Sequence, residues 1–324
     1  MSGELPPLYG IQDGRNRGGV IIISAYAWAS LSAISAAARL TIALNHRLKA
    51  KWDDATSAGS VVLAVVSSVL YNLAVNAGLG RHAADLESLS DYSKFVYAAQ
   101  LVGLAAIACS NVSAILLSKR IVVILPLARP LLVACGAWAV FSLFVTAFQC
   151  NAPEPWTFQN TNCPTRGYLQ FVIVVANMLV DIAIGLCIVP TIWDLRMERG
   201  RKLTAVSLFA LRLAIPCLAI GQLVSLSLAI NSTDKPWDSV QHVLFDQAVI
   251  HLSVILTTVP RANRFLSQLH DNLAVGEITA YELDRDSRAA STSSTKSFGL
   301  VHTPSISARV LGPEPRASEG TRRL

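Results

Sequence analysis

The chain has 324 residues, 52% of them hydrophobic and only 15% charged, with a formal net charge of +6 and a mean hydropathy of +0.47. A water-soluble domain carries charge on about a quarter of its residues, so this composition excludes a single soluble globule. The shortage is also concentrated: residues 1–18 and 271–324 are polar, which leaves an intervening stretch apolar enough for lipid.

In chain order, residues 1–18 hold Pro6, Pro7, Asp13, Arg15 and Arg17 without an apolar signal core or a cleavage site, so the first span is expected to insert uncleaved. Seven apolar runs follow, at 19–44, 57–79, 95–118, 127–148, 168–192, 203–230 and 240–262. Each is about the ~20 residues a helix needs to cross the hydrocarbon core. None alternates as the strands of a membrane barrel do, and backbone groups in lipid must bond internally. The expected fold is therefore all-α: a seven-transmembrane helix bundle over 19–262. After it, Phe265, Leu266, Leu269 and Leu273 fall at helical spacing and predict a short interfacial helix over 263–275. The Ser-, Pro- and Arg-rich remainder, 276–324, has too little apolar surface for a core and reads as a disordered cytoplasmic tail.

Loop charge sets the orientation. Arg47, Lys49, Lys51, Lys119, Arg120, Arg129, Arg196, Arg199, Arg201 and Lys202 lie at one end of the bundle, and Arg81, Lys94, Arg166 and Lys235 at the other. The richer side is assigned to the cytoplasm, facing anionic lipid, which puts the N-terminus outside; the plasma membrane is the expected location, though loop charge does not select it. No basic groove with interleaved aromatics suggests a nucleic-acid partner. Cys109, Cys135, Cys187 and Cys217 fall within spans and read as small packing residues. Cys150 and Cys163 share one outer loop, where disulfides persist, and are expected to pair.

The loops carry a recognisable pattern. Arg39 is followed by Trp52, Asp53 and Asp54. Gly78, Gly80 and His82 form a G-x-G-x-H run, and Ser113 precedes the Lys119–Arg120–Ile121 exit of span three. Cys150, Trp156 and Cys163 mark the loop before span five, then come Asp181, Pro190, Trp193, Leu195, Arg201 and Lys202, and Pro260 closes span seven. In this order the chain resembles the fungal rhodopsin-domain family, seven-span proteins that include orphan receptor-like members. The family often has Lys where Asn111 stands and Glu where Val249 stands. The resemblance implies architecture and carries no general reaction. A retinal Schiff base needs a lysine in the seventh helix, and residues 240–262 contain none, so neither light-driven chemistry nor any other cofactor is expected.

The candidate site residues lie within spans or close to them. Asp181 and Arg212 come to similar depths in spans five and six and read as an intramembrane charge pair. His242 and Asp246, one helical turn apart, with His251 deeper, are candidates for a wet ligand vestibule. A metal site is not expected, since spans two, three and five have no internal His to complete a ligand set. Asp53 and Asp54 read as capping or ion-pairing groups at the start of span two, with contact to a cytoplasmic partner as the alternative. His82 is a candidate sensor of external pH. Asn231-Ser-Thr is an outer glycosylation sequon, and Ser291, three residues after Arg288, is a candidate phosphorylation site. Together these suggest a receptor-like protein binding a small-molecule or other external ligand and signalling to a cytoplasmic partner. A small-molecule transporter ranks second. An intramembrane enzyme ranks last, because no catalytic residues converge.

Overall fold

The computed structural model describes residues 16–45, 52–86, 89–121, 128–150, 155–156, 167–193 and 211–258. Seven helices long and apolar enough to cross a membrane are present among them. They are α1 (Gly18–Asn45), α2 (Trp52–Asn76), α3 (Leu89–Ile121), α4 (Ala128–Ala147), α5 (Leu169–Trp193), α6 (Ala214–Asn231) and α7 (Lys235–Thr258). Among the described residues the one extended pairing is an isolated bridge between Asn16 and Arg81.

The helices sort their side chains in reverse of a soluble bundle. In α2, Ser57, Ser60, Ala64, Ser67, Ser68 and Tyr71 face inward at spacings of three and four, while Val62, Val66, Val69 and Leu73 face outward. Ile220, Val224 and Leu228 repeat the outward pattern on α6, as do Val140, Phe144 and Phe148 along α4 and the turn after it. Lipid accepts that outer surface, so the bundle is held by close packing and interior hydrogen bonds instead of hydrophobic burial. Small residues permit the closeness. A Cβ on Gly103 would stand 2.5 Å from Ile250 Cδ1, and one on Gly221 2.6 Å from Phe245 Cε1, so α3 and α6 both press against α7.

Three helices begin five or six residues earlier than the apolar runs suggested, α3 among them at Leu89. α2 starts at Trp52, because the carboxylates of Asp53 and Asp54 suit a helix N-terminus, and α7 starts at Lys235. The seventh helix thus does hold a lysine, but at its first residue. Lys235 lies eleven residues, ~16 Å of rise, from the mid-helix position of Asp246. Ahead of α6, residues Leu211–Leu213 form one 3₁₀ turn. Pro216 accounts for it: its ring lacks an N–H and crowds the Arg212 carbonyl four residues back, so the α-helical ladder cannot run through. The expected interfacial helix over 263–275 and the tail over 276–324 lie outside the described residues.

α2 packs between α1 and α3, α3 against α2, α4 and α5, and α5 against α4 and α6. α7 closes the bundle through side-chain contacts to α1, α2, α3 and α6, and is the most buried span, followed by α3. These two helices supply much of the interior in which the polar groups meet.

Candidate functional site

One end of the bundle is tied together by the glycine-histidine turn after α2. Gly78 and Gly80 hold φ of 115° and 91°, a region where a side chain is strained. A Cβ on Gly80 would also sit 2.6 Å from the Gly18 amide nitrogen. That close approach lets the Arg17 amide donate to the Gly80 carbonyl (2.8 Å) and the Gly80 amide to the Pro236 carbonyl (3.0 Å). Two residues on, His82 meets Asp234 (2.6 Å) and stacks on Trp237 at 4.1 Å, with the Arg17 guanidinium 4.2 Å from the same indole centroid. His82 is therefore half-buried in a clasp joining the N-terminal segment, the α2–α3 turn and α7, not a free loop residue.

Below this clasp lies a cavity between α3, α4, α5, α6 and α7. Gln100, Trp138, Gln170, Asn177, Gln222, His242 and Asp246 contribute to its lining, with Leu104, Ile107, Ile173, Val174 and Val249. Its solvent volume is about 30 Å³ within an envelope of about 440 Å³ that includes the open mouth. That solvent volume is room for roughly two waters. The Asp246 carboxylate accepts hydrogen bonds from the Tyr71 hydroxyl (2.5 Å) and the Gln222 amide (2.9 Å). Among the described residues no Lys or Arg lines the cavity. The Trp138 indole N–H donates to the Ile173 carbonyl (3.2 Å), and both residues contribute to the lining.

Asn177 connects the cavity to the charge pair. Its amide donates to Asp181 (3.2 Å), and the other Asp181 oxygen receives Arg212 at 2.8 and 3.1 Å. Arg212 also donates to the Asn111 side-chain carbonyl. Asp181 and Asn111 are fully buried and Arg212 nearly so. The 3₁₀ turn at Leu211–Leu213 gives Arg212 its place, and the pair joins α3, α5 and the entry to α6.

His251 does not share the cavity with His242 and Asp246. It lies nine residues beyond His242, and at about 100° per residue it faces the opposite side of α7. There Ser32 of α1 engages its Nδ1 at 2.7 Å and Ser68 of α2 its Nε2 at 2.8 Å. The vestibule expected from three residues thus contains two, and His251 is a fully partnered link between three helices. At the far end of the bundle Arg39 binds Asp53 (3.3 Å), Asp54 (3.2 Å) and the Asp53 carbonyl (3.0 Å), with Ser113 donating to that carbonyl as well. Asp53 is 4% exposed, so it is built into the bundle and does not present itself to a partner.

Cys150 is buried and disulfide-bonded, while Cys163 lies outside the described residues. Cys109, Cys135 and Cys217 are free. Nearby, Lys94 of α3 lies 5.7 Å from the Trp156 ring centroid. Asn231 is exposed at the last residue of α6, its amide donating to the Ser227 carbonyl (2.8 Å). Ser291 lies outside the described residues. No group of three or more His, Cys, Asp or Glu among the described residues is placed to hold a metal ion.

Tyr71, Gln100, Asn177 and Gln222 did not stand out in the sequence, because single neutral polar residues scarcely lower the hydropathy of a span. Their signal was positional: Gln222 and Asn177 are large amides in otherwise apolar runs, where each must find a partner. A family model described as Fungal rhodopsin domain matches residues 38–268, well over half of the chain, and takes in the Arg39–Asp53–Asp54 lock, the glycine-histidine turn and the cavity. No curated protein matches the chain. On this match the chain belongs to the fungal rhodopsin domain family.

Proposed function

We propose that this multi-pass membrane protein is a receptor-like sensor. An external small polar ligand enters the cavity from the clasp end, and occupancy is passed to the cytoplasmic loops and tail without chemical turnover. The cavity carries the reading: it lies among five helices, it is lined by a carboxylate, a histidine and four amides, and it contains buried polar atoms with no partner. Asn177 supplies the coupling, since it lines the cavity and also holds Asp181, the partner of Arg212. A ligand that draws Asn177 would bias the contact joining α3, α5 and α6.

In this reading the N-terminus is outside in the plasma membrane, Cys150 and Cys163 staple the α4–α5 loop, Asn231 is glycosylated and Ser291 is phosphorylated. Against transport, the Asp181–Arg212–Asn111 group lies beneath the cavity, and a through-path would have to break it. The test is binding and uptake measured together. The protein in nanodiscs should be stabilised by a small polar compound, Gln222→Leu should weaken that response, and proteoliposomes should not accumulate the compound. Accumulation above the binding stoichiometry would make the protein a transporter.

A further inference from the structure

Two buried hydrogen-bond acceptors in the cavity lack donors, and beside them the Asp246 carboxylate has lone pairs to spare. Building on the ligand-binding reading above, we propose that the group recognised there is a primary ammonium, carried by a small organic amine or present as the free ammonium ion. Asn177 gives its N–H to the Asp181 carboxylate, which fixes the amide orientation and leaves Oδ1 as an unpartnered acceptor; the residue is 4% exposed. His242, 8% exposed, uses one ring nitrogen toward the Gln222 backbone and has no partner at Nδ1. Asp246, once ionised, is acceptor-only and has lone pairs beyond those used by Tyr71 and Gln222.

An ammonium group brings three donors and one positive charge to this set, and among the described residues no Lys or Arg lining the cavity competes for the carboxylate. Other ligand classes fit less well. A carboxylate or phosphate would stand against the Asp246 carboxylate, with no Lys or Arg among the described lining residues to offset the repulsion. A hard metal ion seeks an all-oxygen shell, whereas the imidazole nitrogen seeks an N–H. A transition metal would want a third strong ligand, and none stands with these two among the described residues. The solvent volume of about 30 Å³ admits an ammonium head but not a quaternary one.

The experiment is thermal unfolding of the purified full chain in nanodiscs with ammonium or methylammonium chloride, against potassium and tetramethylammonium chloride at equal ionic strength. The first two should raise the midpoint saturably, by about 5 °C at high excess over the dissociation constant, and the last two should not. A larger response to methylammonium assigns the site to an organic amine, and a larger response to ammonium assigns it to the ion. Asn177→Leu and Asp246→Asn should each weaken the apparent affinity at least tenfold; if Asp246→Asn does not fold, Asn177→Leu carries the comparison. Equal responses to all four salts, or unchanged affinity in Asn177→Leu, would overturn the ammonium assignment. A saturable response to glycerol or acetate but not to amines would also overturn it, while leaving the ligand-binding reading intact. If no ligand of any class acts through the cavity residues, both fail.

Discussion

Replacing Asp181 by Asn should harm this protein more than replacing Arg212 by Leu. Both residues are buried, and Arg212 donates twice to one Asp181 oxygen, at 2.8 and 3.1 Å. Breaking a buried pair by removing one partner costs about 3–5 kcal/mol, because a charge is left uncompensated. The two losses differ in how the remaining group can respond. A lone carboxyl can neutralise itself by binding a proton, and Asp181 would keep the Asn177 amide. A guanidinium cannot shed its proton, so Arg212 would stay charged with Asn111 and the introduced amide as neutral acceptors. Asp181→Asn should therefore fall near the top of that range and Arg212→Leu near the bottom. The double variant removes both charges and should cost less than the sum, with a coupling of about 2–3 kcal/mol. At roughly 2–4 °C per kcal/mol for a domain of this size, each single change lowers the unfolding midpoint by on the order of 10 °C. Fluorescence-detected unfolding of the four proteins in nanodiscs reads this directly. Strictly additive losses, or a larger loss in Arg212→Leu than in Asp181→Asn, would refute the reasoning.

Gly80→Ala should destabilise by about 1–3 kcal/mol, from positive φ and the 2.6 Å approach to Gly18. Gly59→Ala, with nothing within 4 Å of the added Cβ, should be neutral or stabilising by up to ~1 kcal/mol, and the pair can be compared in one thermal assay. His251→Phe should cost about 1–3 kcal/mol, because it leaves the Ser32 and Ser68 hydroxyls without their partner. The double change of both serines to Ala in that background should cost little more. Non-reducing peptide mapping should recover Cys150 linked to Cys163, and Cys150→Ser should lose up to about 3 kcal/mol of stability. Linkage to a different cysteine would correct the loop assignment.

The seven spans were legible because lipid demands long apolar runs, and each run overlaps one helix of the structure. Helix starts were less so. A hydropathy window discounts Asp53 and Asp54, yet Arg39 neutralises them from the next helix and both belong to α2. Asp181 and Arg212 were readable as a pair because charge inside a span is conspicuous and requires compensation. His251 was grouped with His242 because both are histidines of one span, whereas helical phase puts them on opposite sides of it. The cavity's remaining polar lining comes from single neutral residues on different helices, and its composition becomes apparent only once the helices are packed. Nor does any local pattern tell that Asn177 serves the cavity and the ion pair at once.

The most direct test of the account is the side from which the cavity can be reached. Leu104 lines it and is partly buried. In a background stripped of other reactive thiols, Leu104→Cys should react with a membrane-impermeant thiol reagent applied outside intact cells, and an occupying ligand should slow that reaction. The same reagent applied to inside-out vesicles should leave the thiol unmodified. Modification from both sides would indicate a through-path, and modification only from the inside would contradict both the orientation and the external-ligand reading.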